Sequence, residues 1–296
     1  MALEQVTQCP ICSSNSFNKF IVCEDYTASK EKFNLSSCST CNFLITTPRP
    51  DAKNIGTYYK SQSYISHTGS GKGLINSIYL LVRRYTLNWK VNKIKEYQST
   101  GKLLDYGCGT GEFLHKAHEH EFDITGVEPS DDARKKAESI IGKKIENHLD
   151  NLKGEKFNVI TLWHVLEHVP DLKEKLSQLK ELLEVNGTIF IAVPNHNSYD
   201  ALHYKEYWAG YDVPRHLWHF SKENMKALLE EINLKVIEIK PMKLDSYYVS
   251  LLSEGYKYKA KNPLLKLMSG ILNGMKSNIV AKKSMNYSSL IYIAKS

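Results

Sequence analysis

One stretch constrains this chain more than any other: Leu103-Leu104-Asp105-Tyr106-Gly107-Cys108-Gly109-Thr110-Gly111-Glu112-Phe113. An apolar strand pattern ends in a carboxylate, three glycines follow at alternate positions, and a helical pattern begins at once. Glycine permits a tight turn and lets a ligand touch the backbone. The helix start beyond it carries N–H groups free to meet an anionic group. Seventeen residues after Gly111 the next strand-like run ends in Glu128, a carboxylate placed to accept hydrogen bonds from both hydroxyls of a ribose. Such a turn belongs between a parallel strand and its crossover helix. The rest of the chain supplies more of these units. Strand-like runs at 102–105, 123–128, 157–163, 188–193, 234–240 and 289–294 interleave with helix-like runs at 111–120, 131–141, 171–184 and 222–231. This alternation predicts an open α/β sheet with helices on both faces.

The turn does not fit the dinucleotide fingerprint G-x-G-x-x-G: the third glycine comes one residue early, and position 112 is Glu. Asp105 would also sit badly against a pyrophosphate. It suits a ligand with an ammonium, a sulfonium and one carboxylate, which is S-adenosylmethionine. Residues 103–111 (LLDYGCGTG), Glu128 and 157–168 (FNVITLWHVLEH) resemble the class I S-adenosylmethionine-dependent methyltransferases, over about residues 74–240 and the last strand. The resemblance implies a Rossmann-like mixed sheet of seven strands, with 289–294 antiparallel. It implies that Asp105, Gly107, Cys108, Gly109 and Gly111 line the methionine end of the cofactor. Glu128 would hold the ribose, with Pro129 beside it. The adenine contact would fall near His148, Leu149 or Asp150, and Trp163 and His164 would stand where cofactor meets substrate. The competing reading is a tight strand–helix turn with no ligand.

Near the start, Cys9-Pro-Ile-Cys12 and Cys38-Ser-Thr-Cys41 form two C-x2-C pairs 25 residues apart. Each pair can direct two thiolates at one ion, and four thiolates make the closed tetrahedral site of structural zinc. The intervening loop must then form a hairpin of its own. A lobe this small cannot bury enough surface to fold unaided, so the expected role of zinc is structural. Cys23 reads as a core residue. Within 1–48, Lys19, Lys30 and Lys32 oppose Glu4, Glu24, Asp25 and Glu31 for a net charge of −1. Nucleic-acid binding demands a basic footprint, so no nucleic-acid partner is expected. A four-cysteine lobe ahead of the cofactor unit is similar in layout to the sugar C-methyltransferases. That resemblance implies an active-site tyrosine in the segment after the lobe, which holds Tyr58, Tyr59 and Tyr64. The division expected is 1–48 zinc lobe, 49–100 helical lid or linker, and 101–296 cofactor-binding unit with a helical insertion near 255–283.

Residues 204–220 (YKEYWAGYDVPRHLWHF) hold six aromatics and fall after the fifth strand. In an open α/β sheet the crevice lies at the carboxyl ends of the strands. This segment is therefore expected over the transferred methyl. An acceptor that must lose a proton needs a base, for which histidine suits neutral pH. The resemblance to sugar C-methyltransferases points to His216, with His164 and His219 as the other candidate bases. That group carries Glu where this chain has Arg215, which could instead hold a substrate phosphate or carboxylate. His164 and His168 share a face at helical spacing, as a metal pair would. Pro170 curtails any helix there, and the reading prefers His164 facing the cofactor and His168 serving structure.

The chain's excess of +7 resides in its tail, where 254–296 has eight lysines against one acid. Within it Leu264, Leu265, Met268, Ile271, Leu272, Met275 and Ile279 share one helical face. That face is expected against the core. The alternatives are an anionic membrane surface or a dimer contact. The first ten residues contain Glu4 and no hydrophobic segment, so the expected location is the cytoplasm, without a disulfide framework. The reading is a methyltransferase for a small acceptor at O or C, a nucleotide- or lipid-linked sugar being the leading class. A quinone or lipid methyltransferase at the membrane surface, a zinc-lobe binding module and a non-catalytic S-adenosylmethionine-binding regulator are the alternatives.

Overall fold

A computed structural model describes residues 3–59, 74–258 and 262–296. The chain begins with β1 (Leu3–Glu4), then β2 (Phe17–Glu24) and β3 (Lys32–Cys38), the hairpin that the cysteine spacing demanded. Asp25 shapes its tip by accepting hydrogen bonds from the N–H groups of Thr27, Ala28 and Ser29. Next come β4 (Leu44–Thr46) and β5 (Arg49–Pro50). A 3-10 turn follows at Ile55–Tyr59.

Helix α1 (Leu74–Lys95) leads into the main sheet. There β6 (Gly101–Tyr106), α2 (Glu112–Glu119), β7 (Phe122–Val127), α3 (Asp131–Ile141), β8 (Phe157–Trp163), α4 (Leu172–Glu181) and β9 (Leu183–Pro194) alternate. The short α5 (Tyr199–Tyr204) and β10 (Trp218–His219) precede α6 (Lys222–Glu231) and β11 (Lys235–Pro241). The chain closes with α7 (Asp245–Tyr258), α8 (Pro263–Ser284) and β12 (Ser289–Lys295). The sheet order is β11-β12-β9-β8-β6-β7, with β12 antiparallel to both neighbours. Its inner strands are buried on both faces, which is why they read as continuous apolar runs.

Two expectations about this sheet need correction. Six strands are present among the described residues, not seven. At the missing position there is only a single bridge, Val127 to Glu146. Gly142 ends α3 in a left-handed conformation and a 3-10 helix starts at Leu149, so too few residues remain for a ladder. The helix expected to reach residue 184 stops at Glu181, because Leu183 already pairs with Phe157 on β8.

The insertion near 255–283 is a pair of helices that starts earlier, at Asp245. Helix α7 escaped the sequence reading because its inward residues are Ser246, Ser250 and Ser253. Helix α8 meets it through Gly270 and Gly274. A Cβ added to Gly270 would lie 2.8 Å from Leu251 Cα, and one on Gly274 2.7 Å from Tyr247 Cα. The large apolar residues expected against the core therefore face away from it, from Met275 at 44% exposed to Leu264 at 63%.

The N-terminal sheet docks on the main unit through β10, which pairs with β4 and completes the order β10-β4-β3-β2. Phe43 and Ile45 share one core with Leu166, Leu217, Trp218 and Phe220.

Candidate active site

The glycine turn, Glu128, His164 and Asn195 all follow carboxyl ends of parallel strands, along one edge of the sheet. Gly107, Gly109 and Gly111 all have positive φ, at 75°, 55° and 85°. A Cβ on Gly107 would meet Val165 Cγ2 at 2.6 Å, whereas one on Gly109 would meet nothing within 4 Å. The first glycine is required by packing, and the second faces open space. Glu128 is held by two backbone donors, Gly109 N at 2.9 Å and Ser130 N at 2.8 Å. Pro129 is exposed beside it, and Cys108 is buried under the turn. His148 and Asp150 are exposed and Leu149 is buried, just past the Glu146 bridge.

Asp105 is buried and accepts a 2.6 Å hydrogen bond from Thr161 Oγ1. Burial pushes its carboxyl up to about 7, although the Thr161 hydroxyl and the Lys90 ammonium pull the other way. Lys90 comes from α1 and lies 4.4 Å from the centre of the Trp163 ring. The same helix sends Arg83 to Glu112 at 2.5 Å. An open cradle of glycine backbone with one buried, hard-to-ionise carboxyl fits a cationic ligand whose charge would complete the pairing. Trp163 Nε1 is buried without a hydrogen-bond partner among the described residues. Sequence reading missed Lys90, whose neighbourhood carries no motif, and Thr161, which lies within the 157–168 stretch but whose partner Asp105 only the fold reveals.

Directly after β8, His164 adopts φ 57°, a strained conformation for a residue with a side chain. Its Nε2 donates to Asp245 Oδ2 at 2.9 Å, and its Nδ1 lies 3.4 Å from Glu167 Oε1. Burial opposes the imidazolium, but Asp245 and Glu167 outweigh it and raise the ring to about 9. Its two carboxylate neighbours thus favour the imidazolium form of His164, which works against its expected role as base. It also does not pair with His168. His168 instead lies against His216, with ring centres 4.6 Å apart, and its Nδ1 donates to Arg215 O at 3.0 Å.

Segment 204–220 fills the seam between the N-terminal sheet and the strand ends. His216 Nδ1 donates to Gly210 O at 2.9 Å, and its Nε2 stands 4.0 Å from Asp212 Oδ2. His219 is buried, and its Nε2 donates to Thr46 Oγ1, whose own hydroxyl donates to His216 O. Burial holds His219 neutral. A ring committed in this way ties the N-terminal sheet to segment 204–220. Arg215 is likewise withdrawn from any ligand. It is 1% exposed, donates to Tyr58 O, and pairs with Asp25 at 3.0 Å and Asp212 at 2.6 Å. Two carboxylates satisfy the guanidinium, so the expected phosphate or carboxylate contact is overturned. Tyr58 donates to Glu31 and Tyr59 contacts His168, while Tyr64 lies outside the described residues. Between the hairpin tip, this segment and α7, Tyr26, Trp208, Tyr211 and Tyr256 close around a crevice of about 10 Å³ with Asp212 on one side, room for about one water.

The sulfurs of Cys9, Cys12, Cys38 and Cys41 lie within 4.8 Å of one another. The two pairs have the same local geometry. Ser13 N donates to Cys9 O and Asn42 N to Cys38 O, both at 2.9 Å, and Ser13 and Asn42 are both left-handed. Cys9 N reaches Ser14 O and Cys38 N reaches Phe43 O. Two matched knuckles facing each other form a donor set suited to a thiophilic ion.

Fold and strand-end site together define a class I methyltransferase that uses S-adenosylmethionine. The chain belongs to the methyltransferase-domain family, whose model matches residues 81–239. Among relatives, the ubiquinone biosynthesis O-methyltransferase of Actinobacillus pleuropneumoniae serotype 7 is 36% identical over 107 residues, covering 32% of this chain and 46% of the relative. The mitochondrial enzyme of that name from Bos taurus is 27% identical over 154 residues, covering 46% of this chain and 41% of the relative. The chain thus spans about half the length of the curated relatives it matches, 46% for the first. Magnesium protoporphyrin IX methyltransferase from Synechocystis PCC 6803, solved with SAH bound, superposes with TM-score 0.53 at 13% identity. It covers 82% of this chain and 99% of its own, and this likeness is one of fold.

Proposed function

We propose that this methyltransferase modifies a ring-bearing small molecule at oxygen or carbon, with a nucleotide- or lipid-linked sugar as the leading class. One observation carries the reading: the aromatic segment 204–220, with Asp212 facing His216, meets the strand-end site where His216 packs on His168. Aromatic walls bind the apolar faces of rings, and a carboxylate binds their hydroxyls. Bound S-adenosylmethionine supplies an electrophilic methyl: the acceptor's electron pair forms the new bond, and the carbon–sulfur bond breaks with its pair left on sulfur. Asp105, with the glycine turn, would hold the amino-acid end, and Glu128 the ribose. Holding acceptor and donor in line is the main contribution of such a site. His216 presents its free Nε2 toward Asp212, and we assign it the activation of the acceptor. In this reading residues 1–48 form a zinc-stapled lobe similar in layout to that of sugar C-methyltransferases, 49–100 a lid, and 101–296 the cofactor unit.

The test is transfer of labelled methyl from S-adenosylmethionine to a panel of nucleotide sugars, lipid-linked sugars and hydroquinones, with zinc counted on the same protein. We expect turnover on one ring class and its loss in Trp208→Ala with cofactor binding retained. One zinc per chain should disappear in Cys38→Ser. Transfer to a polypeptide or RNA instead would refute the acceptor assignment.

A second reading is favoured by α8: a quinol or lipid acceptor taken at a bilayer surface. The exposed apolar face of α8 is accompanied by Lys266, Lys276, Lys282 and Lys283, with no acidic residue from 263 to 296. No described helix is long and apolar enough to cross a membrane, so the fit is to a helix lying in the interface. The names of the relatives above add a quinone context. Co-sedimentation with anionic vesicles, abolished by Ile271→Lys with Leu272→Lys, is the expected result. If those substitutions instead turn a dimer into a monomer, the face is a contact between copies and this reading fails.

A further inference from the structure

Glu167 presents the least satisfied polar group in the described structure. Its side chain is 1% exposed, and neither carboxylate oxygen has a hydrogen-bond partner among the described residues. The nearest cation, His164 Nδ1, is 3.4 Å away and belongs to an imidazole already committed to Asp245. A buried carboxylate left in this condition is costly unless something completes it.

Two histidines face it. One ligand atom each from Glu167, His168 and His216 lie within 4.8 Å of one another. Both rings are oriented by the backbone: His168 Nδ1 donates to Arg215 O and His216 Nδ1 to Gly210 O. A carbonyl can only accept, so the proton of each neutral ring is on Nδ1, and the Tyr59 hydroxyl oxygen, 2.9 Å from His168 Nδ1, accepts from the same N–H. The lone pair is then on Nε2, the atom left over for the cluster. Backbone-anchored Nδ1–H with a free Nε2 is the arrangement that orients metal-ligating histidines. Two imidazoles and one carboxylate, converging on a point at the strand edge, form a three-ligand set that leaves coordination positions open.

We infer that Glu167, His168 and His216 bind a divalent metal ion of the zinc or first-row transition type, separate from the four-cysteine site. The sequence pairing of His164 with His168 is replaced by this set, because Asp245 takes His164 and the fold brings His216 in from 48 residues downstream of His168. For its role, the inference rests on the acceptor reading above: the ion takes the acceptor's hydroxyl or enol oxygen in an open position and lowers its pKa, so that its proton passes to solvent. His216 then acts as a ligand and not as the direct base.

The test uses the full chain, freed of metal with chelator and titrated with cobalt(II). Two phases are expected. One carries thiolate charge-transfer absorption and disappears in Cys38→Ser. The other shows only weaker ligand-field bands and disappears in Glu167→Gln and in His168→Ala. The loss of affinity should exceed the about 10–100-fold typical of losing an outer-shell partner. Calorimetry with S-adenosylmethionine on the same variants should be unchanged, which shows that they remain folded. Absence of a thiolate-free phase in the wild-type protein, or its survival in Glu167→Gln, overturns the metal site. Methyl transfer that is indifferent to removal of the ion overturns the role assigned to it. Failure of the wild-type protein to bind S-adenosylmethionine would count against the cofactor site instead, a separate result.

Discussion

Asp105→Asn is expected to strengthen the fold and weaken the cofactor at once. The wild-type carboxyl is raised by burial from 3.8 to about 7. Between those values the folded protein holds a proton that the unfolded chain has released, so stability falls as pH rises through this window and levels off above about pH 7. The full cost above the window is about 4 kcal/mol, at about 1.4 kcal/mol per pH unit. Asparagine carries no charge and escapes it. Its hydrogen bond with Thr161 is weaker by about 1 kcal/mol, which leaves a net gain of roughly 3 kcal/mol at pH 8. For a cationic ligand the effect is opposite. Removing one partner of a buried charge pair costs about 2–5 kcal/mol, so S-adenosylmethionine should bind the variant at least roughly 30-fold more weakly. In the wild-type protein Asp105 must ionise to bind, and affinity should rise by roughly tenfold from pH 6 to pH 8, with the variant flat. Urea unfolding at pH 6 and pH 8, with calorimetric titrations at the same values, measures both effects. A variant that is less stable than wild type and binds the cofactor normally would refute the reasoning, because Asp105 would then be a structural residue.

Two further substitutions probe the frame around the site. Burial opposes its charge, but the Ser29 N–H and Arg215 hold the Asp25 carboxyl at about 2, so Arg215→Met leaves a buried carboxylate uncompensated. It should cost about 3–5 kcal/mol at pH 7 by thermal or chemical unfolding; a loss below about 1 kcal/mol would mean that the lobe and main unit are not joined there. Asp25 contributes stability that is present above 3.8 and lost as pH falls through about 2, so the penalty should shrink in acid. Gly109→Ala adds its methyl to open space at φ 55° and should cost only about 1–2 kcal/mol of stability while impairing S-adenosylmethionine binding. Gly107→Ala drives a methyl against Val165 and should destabilise more; equal effects of both on cofactor and fold would contradict the distinction drawn between them.

What the sequence determined was whatever is written in short stretches. The strand, three glycines and Glu128 specify their turn because positive φ and a strand-end carboxylate are local demands. The cysteine pairs specify their knuckles in the same way, and the 25-residue gap predicts the hairpin. The H-x-x-E-H run displayed Glu167, but nothing local marks its carboxylate as buried and short of hydrogen bonds. That depends on His216 arriving from a distant segment and on Asp245 claiming His164 from an unrecognised helix. Arg215 read as a ligand contact because an isolated guanidinium always does. Only the fold brings Asp25, 190 residues away, to consume its charge. Helix α8 makes the same point about packing. Its periodicity located an apolar face, but not that this face turns outward. Gly270 and Gly274 let two backbones approach where leucines would hold them apart, and that close approach, a property of two helices together, decided that the leucines face outward.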